Sequence, residues 1–248
     1  MAETRILFYD VETSPILGYT WGKYEQDVIE FERDFNIMSF AWKWADEKVV
    51  HVLALPDFKT YQKDKFDDKE LVKELWKLMN EADIIIGHNS DSFDNKKVNS
   101  RFVVHDLLPP APYKTVDTLK VARKYFKFSS NKLDDLGNTL GLGRKIAHTG
   151  FKLWKDCMNG DLSAWRLMKR YNKQDVVLLE KVYEELKPWI TNHPNVGVLA
   201  GRPESCPVCA GTTLQARGFA ISKPGKRQRW QCTKCGCWTI GKLVPNEV

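Results

Sequence analysis

The stretch "FYDVETSP", residues 8–15, begins as an apolar run and then sets two carboxylates, Asp10 and Glu12, two positions apart. With the preceding "RIL", residues 5–11 read as a buried strand. Residues i and i+2 of a strand face the same way, so both acids leave the core side by side. They repel each other unless positive charge lies between them. The rest of the sequence decides what supplies it.

Outward from this strand, "NIMSFAWKW" (36–44) and "KVVHVLAL" (48–55) read as two more strands, joined tightly through "ADEK" (45–48). In "DKELVKELWKLMNEA" (68–82), apolar residues at 71, 72, 75, 76, 78 and 79 follow a helical spacing. "DIIIGH" (83–88) reads as a short apolar strand, and "FDNKKVNSRFVVHDLL" (93–108) as a helix stopped by Pro109 and Pro110. "YKTVDT" (113–118) reads as a fifth strand, with helices near 117–126 and 132–140 and a long one over 161–187 ending at Pro188. Three early strands followed by alternating helices and strands predict an α/β layered fold with a mixed sheet.

Two more acidic groups recur along this order. "NSDSFD" (89–94) contains Asn89, Phe93 and Asp94, and "YNKQD" (171–175) places Tyr171 and Asp175 at i and i+4 on one helical face. Met168, Leu178 and Leu179 continue that face toward the core, so Asp175 points inward. A carboxylate aimed inward needs a partner. No Lys or Arg accompanies these four acids at matching spacing, so divalent cations with oxygen preference, Mg²⁺ or Mn²⁺, are the expected partners. Two such ions suit in-line displacement at phosphorus, one activating water and the other stabilising the leaving oxygen.

The patterns D-x-E (Asp10, Glu12), N-x-x-x-F-D (Asn89, Asp94) and Y-x-x-x-D (Tyr171, Asp175), in this order, resemble the three motifs of the proofreading 3′–5′ exonuclease superfamily. Those are four-carboxylate enzymes of RNase H-like fold, and the resemblance covers about residues 5–187. "ETSP" looks closest to the branch with family-B polymerase proofreading domains and phage stand-alone exonucleases. Arg170 and Tyr171 place the chain in the tyrosine branch. The resemblance implies that Asp10 bridges two ions, Glu12 and Asp175 complete the nucleophile side, Asp94 serves the other ion, and Tyr171 positions water. A phenol with a pKa of about 10 is a poor base, so the metal does the deprotonating.

Several residues have two readings. Asn89 suits a helix N-cap as well as a site role. Asp117, at a strand end, reads as a helix cap before a metal contact. His148, near Lys145 and Lys152, either touches phosphate or packs, and Cys157 reads as an inert thiol. Segment 13–35 holds Tyr19, Trp21, Lys23 and Tyr24, which suit stacking on unpaired bases or covering of the sheet.

The net charge of +6 belongs to the tail: residues 201–248 hold eight Lys/Arg and two Asp/Glu, while residues 1–200 hold 30 of each sign. Five of the six cysteines lie there too, and "CPVC" (206–209) and "CTKC" (232–235) stand 22 residues apart. Two C-x-x-C knuckles resemble a zinc ribbon, with Cys206, Cys209, Cys232 and Cys235 binding one structural Zn²⁺ and Cys237 left over. Between them Arg217, Phe219, Lys226, Arg227, Arg229 and Trp230 interleave charge with rings, as single-stranded nucleic acid requires.

The expected organisation is an RNase H-like exonuclease domain over 1–190, a linker over 191–204 and a zinc ribbon over 205–248. The expected activity is two-metal 3′–5′ hydrolysis of single-stranded nucleic acid, DNA ahead of RNA, to nucleoside 5′-monophosphates. Trp21 and Asn89 join the ribbon residues as expected nucleic-acid contacts, and a replication or repair protein is a further partner. The alternatives are a structure-selective endonuclease on the same fold and a non-catalytic nucleic-acid-binding module. No run of 18 apolar residues and no basic-then-apolar start occurs, which points away from membranes and secretion and toward the cytoplasm, the host's for a phage-borne copy.

Overall fold

The computed structural model describes residues 4–24 and 27–245. Strand β1 (Ile6–Thr13) is followed by a small ribbon of β2 (Leu17–Tyr19) and β3 (Glu30–Arg33). Then come β4 (Ile37–Trp44), β5 (His51–Ala54), helix α1 (Lys69–Glu81), β6 (Ile84–Gly87) and α2 (Asp94–Val104). Next are β7 (Lys114–Asp117), α3 (Thr118–Tyr125), α4 (Leu133–Thr139), α5 (Phe151–Asn159) and the long α6 (Leu162–Leu186). The chain ends with α7 (Val196–Leu199) and strands β8 (Leu214–Ser222), β9 (Gly225–Cys232) and β10 (Trp238–Pro245).

The main sheet runs β5-β4-β1-β6-β7. β4 pairs antiparallel with β1 and β5, whereas β1–β6 and β6–β7 are parallel. This is the mixed α/β sheet the sequence predicts. Helices cover both faces, because β1 alternates between two cores. Leu7, Tyr9 and Val11 pack with Leu71, Leu75 and Met79 of α1 and with Val98 and Phe102 of α2. Phe8 joins Ile84, Ile86 and the α6 residues Val176, Leu179 and Val182.

Pairing of β1 with β6 stops at Phe8–Ile86, while β1 continues to Thr13. The overhanging end of β1 lies at the carboxyl ends of the parallel strands, where α/β sheets bind ligands. A register shift between Glu12 and Thr13 marks the same end, and such irregularities re-aim side chains beside sites.

The structure adds elements the sequence reading lacks: the β2–β3 ribbon within segment 13–35, helix α5, and α7 within 191–204. Val196 of α7 is buried with Ile190, Tyr183 and Ala210, so this stretch packs against the end of α6. Among the described residues no helix is long and apolar enough to cross a membrane.

Candidate active site and cysteine centre

Phe8, Asp10 and Glu12 share one face of β1, and α6 runs over it. The Phe8 ring meets Tyr183 edge-on at 5.4 Å. Further along, the same face turns from apolar to acidic, and α6 answers with Asp175. Asp10, Glu12 and Asp175 each offer an oxygen, and the three oxygens lie within 4.8 Å of one another. Asp175 is 1% exposed, and its Oδ1 is buried without a hydrogen-bond partner. A buried carboxylate with one oxygen unpartnered, clustered with two more carboxylates, fits a hard divalent cation.

Asp94 stands outside this trio. It opens α2, is buried, and its Oδ1 accepts from the Val11 N–H at 3.4 Å. The β1 overhang leaves that N–H without a β6 partner. Asp94 still raises the pKa values of Asp10 and Glu12 through its charge.

A positive group is present after all. Lys145, from the loop between α4 and α5, donates to Asp175 Oδ2 at 2.6 Å and to the Tyr171 hydroxyl at 3.1 Å. This corrects the expectation that no basic side chain accompanies the acids: the loop delivers it from 30 residues upstream of Asp175. The lysine does not balance four carboxylates. Burial first, then Asp175, Glu12 and Asp94, hold the Asp10 carboxyl well above its usual range. Burial and Asp175 push Glu12 up to about 8. Burial, aided by Asp117, pushes Asp94 up to about 6. Burial also raises Asp175 against the pull of Lys145. Without a cation, the cluster takes up protons instead.

Tyr171 is raised above the ordinary phenol value by burial and by Asp175, so its hydroxyl stays protonated and able to orient a neighbour. The His148 ring packs edge-on against Tyr171 at 4.8 Å and Trp154 at 5.2 Å, which favours the packing reading of His148. Asn172 is a site residue the sequence reading misses. Fully buried, it accepts from Ser39 Oγ at 3.0 Å and donates to Asp10 Oδ2 at 2.7 Å. Its signal was the i, i+3 spacing to Asp175.

Asn89 does not cap α2, which begins at Asp94 after Phe93. Instead Asn89 occupies a left-handed turn (φ 63°), a conformation Asn tolerates better than most residues. The turn folds onto Gly87, where an added Cβ would lie 2.4 Å from Ser90 Cβ. Asp117 caps α3, accepting from Leu119 and Lys120 N–H, and also takes the Asn89 N–H at 2.8 Å. Cys157 is a buried core thiol. Trp21, Tyr24 and Tyr19 are exposed by 86%, 87% and 59%, so they do not cover the sheet.

In the tail, the four sulfurs of Cys206, Cys209, Cys232 and Cys235 lie within 4.8 Å of one another. Cys206–Cys235 is 3.6 Å and Cys209–Cys232 is 3.7 Å. A tetrahedron with Zn–S bonds of about 2.3 Å has edges of about 3.8 Å, so one zinc ion fits. The knuckles match: Ala210 N donates to Cys206 O and Gly236 N to Cys232 O, each at 2.9 Å. The residues that follow each second cysteine, Ala210 (φ 51°) and Gly236 (φ 76°), are left-handed. Cys237 stands outside the group and donates to the Trp238 carbonyl. Arg217, Phe219, Lys226, Arg227 and Arg229 are exposed, while Trp230 is half-buried.

A family model described as RNase_H_2, of the RNase_H superfamily, matches residues 7–187. No curated protein matches the chain. Among solved structures, the family B DNA polymerase from the hyperthermophilic archaeon Pyrobaculum calidifontis is similar, with a TM-score of 0.56 and 16% identity. The match covers 76% of this chain and 25% of the polymerase, and the likeness is one of fold.

Proposed function

Since the chain belongs to the RNase_H superfamily, a superfamily of nucleases, we propose that it is a divalent-metal-dependent 3′–5′ exonuclease. Its substrate is single-stranded nucleic acid, DNA ahead of RNA, and its products are nucleoside 5′-monophosphates. The observation that carries this reading is the convergence of Asp10, Glu12 and Asp175, whose oxygens lie within 4.8 Å of one another, with a buried Asp175 oxygen left unpartnered. The order of the three acidic motifs favours the exonuclease form.

Asp10, Glu12 and Asp175 would hold one Mg²⁺ or Mn²⁺, and Asp94 with Asp10 a second. Bound there, the ions supply Lewis acidity at the phosphate and lower the pKa of the attacking water. The protein's own groups place the reactants. Asn172 fixes the Asp10 carboxylate. The protonated Tyr171 hydroxyl donates toward the water. Lys145, kept charged because Asp175, Tyr171 and Asp10 outweigh its burial, faces the negative charge that grows on the phosphoryl oxygens.

Asp10→Ala and Asp175→Ala should each abolish Mg²⁺-dependent shortening of 5′-labelled single-stranded DNA with a free 3′ end while leaving the circular-dichroism spectrum intact. A 3′-blocked strand and a closed circle should resist the wild type. Cleavage of the circle means an endonuclease instead. Activity that survives EDTA, or either substitution, removes the metal-site reading.

A further inference from the structure

No acidic residue occurs between Glu204 and Glu247, whereas seven Lys/Arg do. Five of them lie on the strands β8–β10: Arg217, Lys226, Arg227, Arg229 and Lys242. Alternation along β9 sorts the sheet's side chains between two faces. Trp230 lies opposite Ala216 and Thr239, and shares its face with Gln228 and the Phe219 paired to it. There Lys226 Nζ sits 5.2 Å from the Phe219 ring centroid. Trp230 is hemmed in: it lines a groove with Pro203, Glu204 and Leu214, and its Nε1 would be 3.4 Å from a Cβ at Gly241.

The opposite face is open. Gln231 of β9 pairs with Trp238 and with Gln215, and Arg229 pairs with Ile240. Trp238 is 51% and Ile240 56% exposed, and the Arg229 guanidinium lies 5.9 Å from the Trp238 ring centroid. An indole offers the widest stacking surface of any side chain, and a neighbouring guanidinium can meet both phosphate and ring. Gln231 lies between Trp238 and Gln215, whose Oε1 accepts from Arg217 Nη2 at 2.8 Å.

We propose that the Trp238–Arg229 face is the surface on which the cysteine module stacks unpaired bases of a nucleic-acid strand. The proposal rests on the nuclease reading only for the strand's destination. Trp238, not the sequence-nominated Trp230, is the stacking residue. The module's base packs through Ala210 on the end of α6 near Tyr183 and Ile190. From Asp175 to Leu186 the helix rises about 16 Å, or about five nucleotides at a stacked spacing of about 3.4 Å. A strand whose end lies at the carboxylates therefore reaches Trp238 only when it is longer than that.

The test uses the zinc-loaded full chain. Affinity for a fluorescein-labelled dT20 is measured in an Asp10→Asn background, so that substrate survives. Hydrolysis of dT4 is measured in the chain with Asp10 intact. Trp238→Ala should weaken dT20 binding about tenfold, Trp238→Phe should restore most of it, and dT4 hydrolysis should not change. Arg229→Gln should lower the salt slope of dT20 binding by about one. An abasic 20-mer should be indifferent to Trp238→Ala. Zinc content confirms that each variant is folded. Unchanged dT20 binding by Trp238→Ala overturns the proposal, as does equal loss from Phe219→Ala on the opposite face. Absence of dT4 hydrolysis in the wild type would strike the nuclease reading alone.

Discussion

A buried acid without a counter-charge protonates, and a buried amide without a partner costs free energy of its own. Asn172 connects the two problems: Ser39 satisfies its oxygen, and its amide donates to the Asp10 carboxylate beside Glu12 and Asp175. Partners behind metal ligands typically contribute 10- to 100-fold in metal affinity or activity. Asn172→Ala should therefore raise the Mg²⁺ concentration for half-maximal hydrolysis by about tenfold or more. A metal titration of the variant checks this; an unchanged midpoint with a lowered plateau would make Asn172 merely structural. At this scale the sequence revealed the acids because their partners lie on regular elements. Asp10 and Glu12 alternate on a strand, and Tyr171 and Asp175 stand one turn apart. Lys145 escaped because it arrives on an irregular loop, between Gly143 and Gly150, where no period links its position to Asp175.

Elements carry the same distinction between local and distant order. Strands β1 and β6 and helices α1 and α6 follow from apolar runs and helical spacing, and their bounds agree with the reading to within a few residues. The β2–β3 ribbon left no such mark, since all seven of its strand residues are exposed and bury no alternating face. The joint between α1, α2 and β4 was equally hidden. It is Asp68, fully buried, accepting from Ile37 N at 2.8 Å, Arg101 Nε at 2.9 Å and Nη2 at 2.6 Å, with His105 Nε2 at 2.6 Å. Its partners lie 31 to 37 positions away in sequence. The joint matters to the site because α2 bears Asp94 at its first residue and Arg101 two turns later. Asp68→Ala leaves a largely buried guanidinium unpaired, a loss of about 3–5 kcal/mol. Urea unfolding should show a loss of that order, and one below about 1 kcal/mol would mean that the joint relaxes freely.

The molecule combines two ways of staying folded. The α/β body buries two large apolar clusters, one on each face of its sheet. The cysteine module has a core of little more than Cys206, Val208, Cys232 and Cys237, with Cys209, Leu214 and Cys235 partly buried around it. A core that small does not offset chain entropy, so four thiolates closing on one ion would supply most of the stability of β8–β10. The thiols differ before any ion binds: burial opposes the Cys232 thiolate, but N–H bonds from Cys235 and Lys234 hold its pKa below the usual thiol value, whereas burial raises Cys209 and Cys235. Removing zinc with a strong chelator, followed by restoring Mg²⁺, should therefore unfold one part of the chain and spare the other. Amides of 214–245 should lose hydrogen-exchange protection, while β1, β6 and α6 keep theirs and dT4 is still hydrolysed. Retained protection in β8–β10 would mean that packing of Val196 and Ala210 against the end of α6 suffices without metal. Loss of protection in both parts would mean that the ribbon and the body fold as one unit.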